Sequence, residues 1–422
     1  MGELIYLPAV AQGFFDEKSS NLNEIFEKLG FQGHCFNKKE SPFFYPKFLI
    51  SYYYGRQTPN LREKYGLKDI FISGDSGGFQ NITQDAMLNP KDVIEWQQKN
   101  CDTGLILDVP PFEKIEGSSQ FGKTTTKIFE KALDKTIVNA KIAMENWTNE
   151  KFQLFGVIQG DTIKRQEKWL KAMKLVEEET GKKFAGWSLS PKPSHDIQQI
   201  ANHTANMIEN DLLDKPIHIL QISGFESLAM SAYVSKFFKS DVTVDSSTFS
   251  IGSIYFTYFS PYEFLEKWDY GRRATIDLKE LACLCPVCQK IKHEHLTYDP
   301  WEFKSPPGTL ISLHNLWQII KYVKFLNALK NDDVKFKEFC KRHFGQKFIN
   351  VCNYLDDIAN LGKDNSLHKN VIKSNSLAQF MTDPTEESED VNLKEKRMKE
   401  IKEEFPMIDD AGHNSIYNQR YE

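Results

Sequence analysis

Long apolar runs are missing from this chain of 422 residues, and no stretch reaches the 18 or so uninterrupted apolar positions of a membrane span. The opening residues Met1-Gly2-Glu3-Leu4-Ile5-Tyr6 lack a basic n-region and an apolar h-region, so no secretion signal is expected. The expectation is a soluble cytoplasmic protein with no membrane partner. Cysteine is scarce. There are seven, an odd number with three in one short stretch, which argues against a disulfide framework. Cys35, Cys101, Cys340 and Cys352 read as plain buried or half-buried thiols. Positive charge is not in excess either. A net charge of -5 does not mark a basic nucleic-acid module. Lys321, Lys324, Lys330, Lys335, Lys337, Lys341, Arg342 and Lys347 nevertheless form a local basic stretch, and Arg272-Arg273 another. That stretch is either a solvated helix face or a surface for phosphates.

What is present is a 40% hydrophobic content, enough for a large core, distributed in a regular way. Short β-rich runs fall at 4–7, 48–52, 70–73, 105–107, 152–158, 184–187, 217–222 and 242–244, which makes eight. Helical periodicity separates most of them: a helix begins at Asn89-Pro90, and others are expected over 128–147, 165–179, 197–208 and 228–238. Eight βα units point to the α/β class and a (β/α)8 TIM-type barrel, with a doubly wound open sheet as the alternative. No internal repeat is visible beyond the alternation. The expected division is a catalytic barrel over 1–270, a zinc-binding subdomain with the last barrel helix over 271–345, and a helical extension with a charged tail over 346–422. Residues 386–390 read as an acidic linker within that tail.

A barrel of this kind places catalytic groups where its strands end. The runs here end near Asp75, Asp108, Gln159, Gly186, Gly224 and Asp245. Several carboxylates at one mouth suit glycosidic-bond chemistry, in which one attacks the anomeric carbon and another handles the leaving group's proton. Asp75 precedes Ser76-Gly77-Gly78, whose glycines let backbone approach a flat ligand, or simply form a turn. Phe79 follows, either to stack on such a ligand or to pack in the core. Asp108 lies before Val109-Pro110-Pro111 and can accept two hydrogen bonds from a purine edge or cap a loop. Gln159 offers a donor and an acceptor to a carbonyl edge or to a turn, and Asp245 is a nucleophile or the start of an Asx-turn.

Cys283-Leu284-Cys285-Pro286-Val287-Cys288 is followed about 26 residues later by His314. Three thiolates and one imidazole form the ligand set of a closed, four-coordinate structural zinc site. His293 and His295 are competing fourth ligands.

Together these residues resemble the tRNA-guanine transglycosylase family, over roughly residues 5 to 330. The resemblance rests on Asp75-Ser76-Gly77-Gly78-Phe79-Gln80, the zinc pattern, Leu107-Asp108-Val109-Pro110 and Gly156-Val157-Ile158-Gln159-Gly160. It implies a (β/α)8 barrel with an inserted zinc subdomain, exchanging guanine in a polynucleotide for a 7-deazaguanine without a redox cofactor. By the same resemblance Asp245 is the nucleophile and Asp75 the acid-base partner. Asp108 and Gln159 read the base edge, Phe79 stacks on the base, and Ser76, Gly77, Gly78, Gly186 and Trp187 line it. Cys283, Cys285, Cys288 and His314 hold a structural Zn2+.

The departures are informative. After the nucleophile the tRNA enzymes carry arginines that grip the anticodon, whereas this chain reads Ser247-Thr248-Phe249-Ser250-Ile251-Gly252, with no arginine until Arg272. It therefore looks more like the branch of phages and bacterial genomic islands that modifies guanine in DNA. Lys192 stands where the bacterial tRNA enzymes have a glutamate, which disfavours a cationic base and points to neutral 7-cyano-7-deazaguanine. A tRNA enzyme with atypical anticodon contacts, and a non-catalytic partner subunit, are the alternatives; a homodimer is an expected assembly.

Overall fold

Eight parallel strands close on themselves: β1 (Leu4–Val10), β2 (Lys47–Ser51), β3 (Phe71–Asp75), β4 (Thr103–Leu105), β5 (Gln153–Ile158), β6 (Gly186–Leu189), β7 (Ile217–Ile219) and β8 (Val242–Ser246), with β8 paired back to β1. Helices alternate with the strands, which is the (β/α)8 barrel and excludes the open sheet. The computed structural model describes residues 2–11, 39, 41–84, 86–113, 124–191, 196–254, 257–260, 267–269, 283–290 and 306–360. Cys35, Lys192, Arg272-Arg273, His293, His295 and the tail beyond 360 lie outside the described residues. Among the described residues no helix is long and apolar enough to cross a membrane.

The helices follow from their caps and their apolar spacing. Asn89 accepts from Lys91 N at 2.9 Å with Pro90 at the first turn of Pro90–Asn100. Thr125, Thr162 and Asp196 cap Thr126–Asn146, Ile163–Thr180 and Ile197–Glu209 in the same way. Each buries a stripe against the strands, where Phe129, Phe152, Trp169 and Trp187 are fully enclosed. Truncating one such aromatic costs roughly 3–5 kcal/mol.

Several strands differ from the sequence expectation, among them β6, which occupies Gly186–Leu189 rather than 184–187. β4 occupies Thr103–Leu105 rather than 105–107: Ile106 and Leu107 are buried, but the chain leaves the ladder toward Pro110-Pro111, which cannot extend it. β7 is three residues long, because Gln221 adopts a left-handed backbone (φ 60°) that ends the extended run.

After β8, the helix Thr248–Ile254, the two-stranded ribbon β9 (Thr257–Phe259) and β10 (Lys267–Asp269), and the short helix Pro286–Lys290 precede the last barrel helix, Pro306–Leu329. That helix runs down to the N-terminal rim of the barrel, where Asn327 exchanges hydrogen bonds of 2.9 and 2.8 Å with Leu4. Helices Asp333–Phe344 and Gln346–Asn360 extend the body there, held by Asp356, which accepts from Tyr233 Oη at 2.6 Å and pairs with Lys236 and Lys337. Three residues of the basic stretch singled out in the sequence thus gather at the end opposite the strand C-termini. Lys330 is buried on Gly2 O and Ser235 Oγ, Lys335 pairs with Asp332, and Lys337 with Asp333 and Asp356.

Candidate active site and metal centre

The C-terminal ends of β3, β5 and β8 and the loop after β4 bring Asp75, Gln159, Asp245 and Asp108 to one mouth. Asp245, 6% exposed, accepts a hydrogen bond on Oδ1 from Gln221 N at 2.8 Å. The left-handed backbone of Gln221 aims that N–H, a strained conformation for a residue with a side chain. Tyr6 Oη donates to Ser246 O at 2.7 Å and anchors the residue after the carboxylate. Asp75 is half-buried, next to Ser51 in register. Burial pushes its carboxyl up to about 6; the Asp245 and Asp108 charges add to the rise, and the Ser51 hydroxyl and Gly77 N–H oppose it. A carboxyl titrating near neutrality can both give and take a proton.

Asp108 and Gln159 form a buried pair, Nε2 of the amide donating to Oδ2. Among the described residues Gln159 Oε1 has no hydrogen-bond partner. A buried amide oxygen without a donor is costly unless a ligand supplies one. Phe79 sits half-buried on the helix Gly78–Thr83, its ring edge-on to Phe112 at 6.1 Å.

The Asp-Ser-Gly-Gly turn does something other than offer free donors. Gly77 (φ 83°) gives its N–H to Asp75 Oδ2 at 3.2 Å, and Gly78 gives its N–H to Ser76 Oγ at 3.3 Å. Ser76 Oγ in turn donates to Asp108 Oδ1 at 3.3 Å. A Cβ on Gly78 would meet Asp108 O at 2.5 Å. The glycines therefore let the turn close onto Asp108, so that the motif locks one carboxylate beside another.

Gly186 and Trp187 are corrected by the structure. Gly186 is the first residue of β6, paired with Phe155 at the end of the barrel away from the mouth. Ser190, four residues on, accompanies Gln159, since its N–H reaches Ile158 O at 3.0 Å; Gly186 lies about 13 Å lower. Trp187 points outward and is fully buried against Phe184 at 5.3 Å, with Lys215 over its ring. It is core. The motif match assigned a strand-end role to residues that open the strand.

Sequence reading missed three buried polar groups in this part of the barrel. Ser188, beside His218 in register, keeps an unpartnered hydroxyl. Ser190 is buried at the mouth end of β6. His218, 1% exposed, brings Nε2 to 3.3 Å from Asp245 Oδ1. A lone polar residue inside an apolar run such as 217–222 was the available signal.

The second cluster joins Cys283, Cys285, Cys288 and His314, whose donor atoms all lie within 4.8 Å of one another. His314 Nδ1 is 3.6, 3.3 and 3.4 Å from the three Sγ atoms. A tetrahedral ion with about 2.3 Å to sulfur and about 2.0 Å to nitrogen spans such an edge at about 3.5 Å. His314 Nε2 lies 2.8 Å from Phe259 O, and donating to that carbonyl leaves the Nδ1 lone pair for an ion. The Tyr258 ring stacks on His314 at 3.7 Å and its hydroxyl meets Cys288 Sγ at 3.0 Å; Gln318 Nε2 donates to Cys283 Sγ at 3.4 Å. The set fits a metal such as zinc.

Next to His314, Asn315 ties the cluster to the segment following Asp245. Its Oδ1 accepts from Phe259 N at 3.0 Å, and its Nδ2 donates to Phe249 O and Thr257 O at 3.3 and 2.9 Å. Comparison with known protein families and with curated proteins finds no match.

Proposed function

We propose that this chain is a base-exchanging glycosyl transferase that works through a covalent aspartyl intermediate. The observation behind this reading is the convergence of Asp245, Asp75 and the Asp108–Gln159 pair on one mouth, with Asp75 held near pH 6. More narrowly, it is a guanine transglycosylase acting on DNA, with 7-cyano-7-deazaguanine as the incoming base.

Asp245 attacks C1′ of the target nucleoside through Oδ2, the oxygen that Gln221 N leaves free. The C1′–N9 bond breaks as the Asp75 carboxyl gives its proton to the departing guanine. The Asp75 carboxylate then takes the N9 proton of the incoming deazaguanine, whose nitrogen displaces Asp245 from C1′. Two displacements retain configuration, and the proton that left is replaced. Asp108 accepts from the ring N–H and amine of the base, Gln159 lies along the same edge, and Phe79 faces the ring.

Cys283, Cys285, Cys288 and His314 would hold Zn2+, whose contribution is to cross-link the inserted segment to the last barrel helix. DNA is favoured over tRNA because residues 246–252 hold no arginine for anticodon bases. A guanine in duplex must leave the stack to reach a recessed carboxylate, at a cost of a few kcal/mol.

The test is incorporation of labelled 7-cyano-7-deazaguanine or guanine into duplex DNA, single-stranded DNA and tRNA, with Asp245→Ala as control. Label in DNA, lost in the variant, is expected. Label in tRNA alone overturns the DNA assignment, and label in none overturns the enzyme reading in favour of a partner subunit.

A further inference from the structure

The nucleophile proposed above has a neighbour for which that mechanism has no role. His218 sits inside the barrel on β7, between Ser188 of β6 and Thr243 of β8 in register. Its Nδ1 lies 2.9 Å from Thr243 Oγ1, and that hydroxyl reaches Ile217 O at 3.2 Å. With the threonine hydrogen on the carbonyl, Oγ1 is left to accept, so Nδ1 carries a proton. Nε2 then faces Asp245 Oδ1 at 3.3 Å, off the line of a good hydrogen bond and with no other partner. A donor on Nε2 would support that carboxylate oxygen, whereas a bare lone pair there would oppose it.

Both contacts to Asp245, from Gln221 N and His218, fall on Oδ1. Oδ2 has no hydrogen-bond partner among the described residues. The charged or titratable groups facing this carboxylate are Asp75 of β3, Asp108 after β4, Tyr6 of β1 and His218 of β7. Asp75 and Asp108 are like charges, and burial holds the Tyr6 phenol neutral, well above its ordinary range. Among the described residues, His218 is the only basic side chain within ion-pair distance of Asp245.

We infer that His218 is the positioning residue of the nucleophile, fixing Oδ1 so that Oδ2 points at the mouth. This rests on the proposed role of Asp245. Its chemical consequence falls on both half-reactions: a carboxylate oriented through Oδ1 presents Oδ2 for attack, and one that keeps donors on Oδ1 leaves more readily when the incoming base displaces it.

The test has two arms. In the first, imidazole NMR of histidine-labelled protein, assigned with His218→Gln, compares wild type with Asp245→Asn. The His218 side-chain nitrogen resonances are expected to move when the carboxylate is replaced; unmoved resonances overturn the inference whatever the enzyme does. In the second, His218→Phe is expected to lower kcat roughly 100-fold with the KM for the free base little changed. His218→Gln, which keeps a donor at that position, should recover about tenfold of that loss. Equal activity of the Phe variant and wild type, in protein that melts normally, overturns the inference. Failure of the wild type to exchange base in any polynucleotide overturns the functional reading alone and leaves the NMR result standing.

Discussion

The barrel mouth and the Cys3His cluster are both polar assemblies in the same body, and they are finished to different degrees. In the cluster the atoms around the centre are satisfied from outside: Cys283 Sγ accepts from Gln318 and Cys285 N, Cys288 Sγ meets Tyr258, and His314 Nε2 meets Phe259 O. What remains converges on a single point. At the mouth and just below it the reverse holds, since three carboxylates converge and, among the described residues, Gln159 Oε1 and Ser188 Oγ lack partners. A closed site spends its hydrogen bonds on holding donors still, whereas an open one keeps groups unsatisfied where a ligand will come.

The largest effect that would test this contrast is at the mouth. Asp245→Ala should lower base exchange by at least about 10^4-fold with the circular dichroism spectrum unchanged. At the cluster, Cys285→Ser should remove stoichiometric metal, read by elemental analysis, and cost about 5 kcal/mol or more in denaturant melts. An unchanged melt would mean that the cluster is not a metal site. Trp187→Ala should cost roughly 3–5 kcal/mol while leaving the preference among incoming bases intact, as expected of core rather than of a substrate contact.

Asp75 supplies a smaller effect of opposite sign. Its carboxyl titrates near 6 in the folded chain against 3.8 ordinarily, so the folded state binds the proton more tightly. The resulting stability is fully present below about pH 4 and lost as pH rises through 6. Asp75→Asn should therefore stabilise the protein at pH 7.5 by about 2–3 kcal/mol and flatten Tm against pH, while abolishing exchange. Smallest of all, reversing Lys335 to glutamate should change DNA affinity by less than about twofold, because it pairs with Asp332 at the far end of the barrel.

The fold was legible because strand count, caps and helical spacing are local signals that eight βα units repeat. Boundaries slipped where hydrophobicity and pairing part company: Thr103-Gly104 pair without being apolar, and Ile106-Leu107 are apolar without pairing. Asp75, Asp108 and Asp245 stood out as charges ending apolar runs. His218 did not, because its meaning depends on a strand 25 residues away that brings Thr243 and Asp245 beside it. Gly186 and Trp187 were misjudged because a motif match carries no register; only the pairing with β5 shows which end of β6 they occupy.

His314 and Asn315 are consecutive on one helix, and each bonds Phe259, one at its carbonyl and the other at its N–H. Asn315 also holds Phe249, four residues beyond Asp245. A chain made under metal starvation would complete its barrel yet leave the segment behind Asp245 less firmly anchored. Metal supply would then act as a maturation step, licensing a carboxylate that never touches the ion.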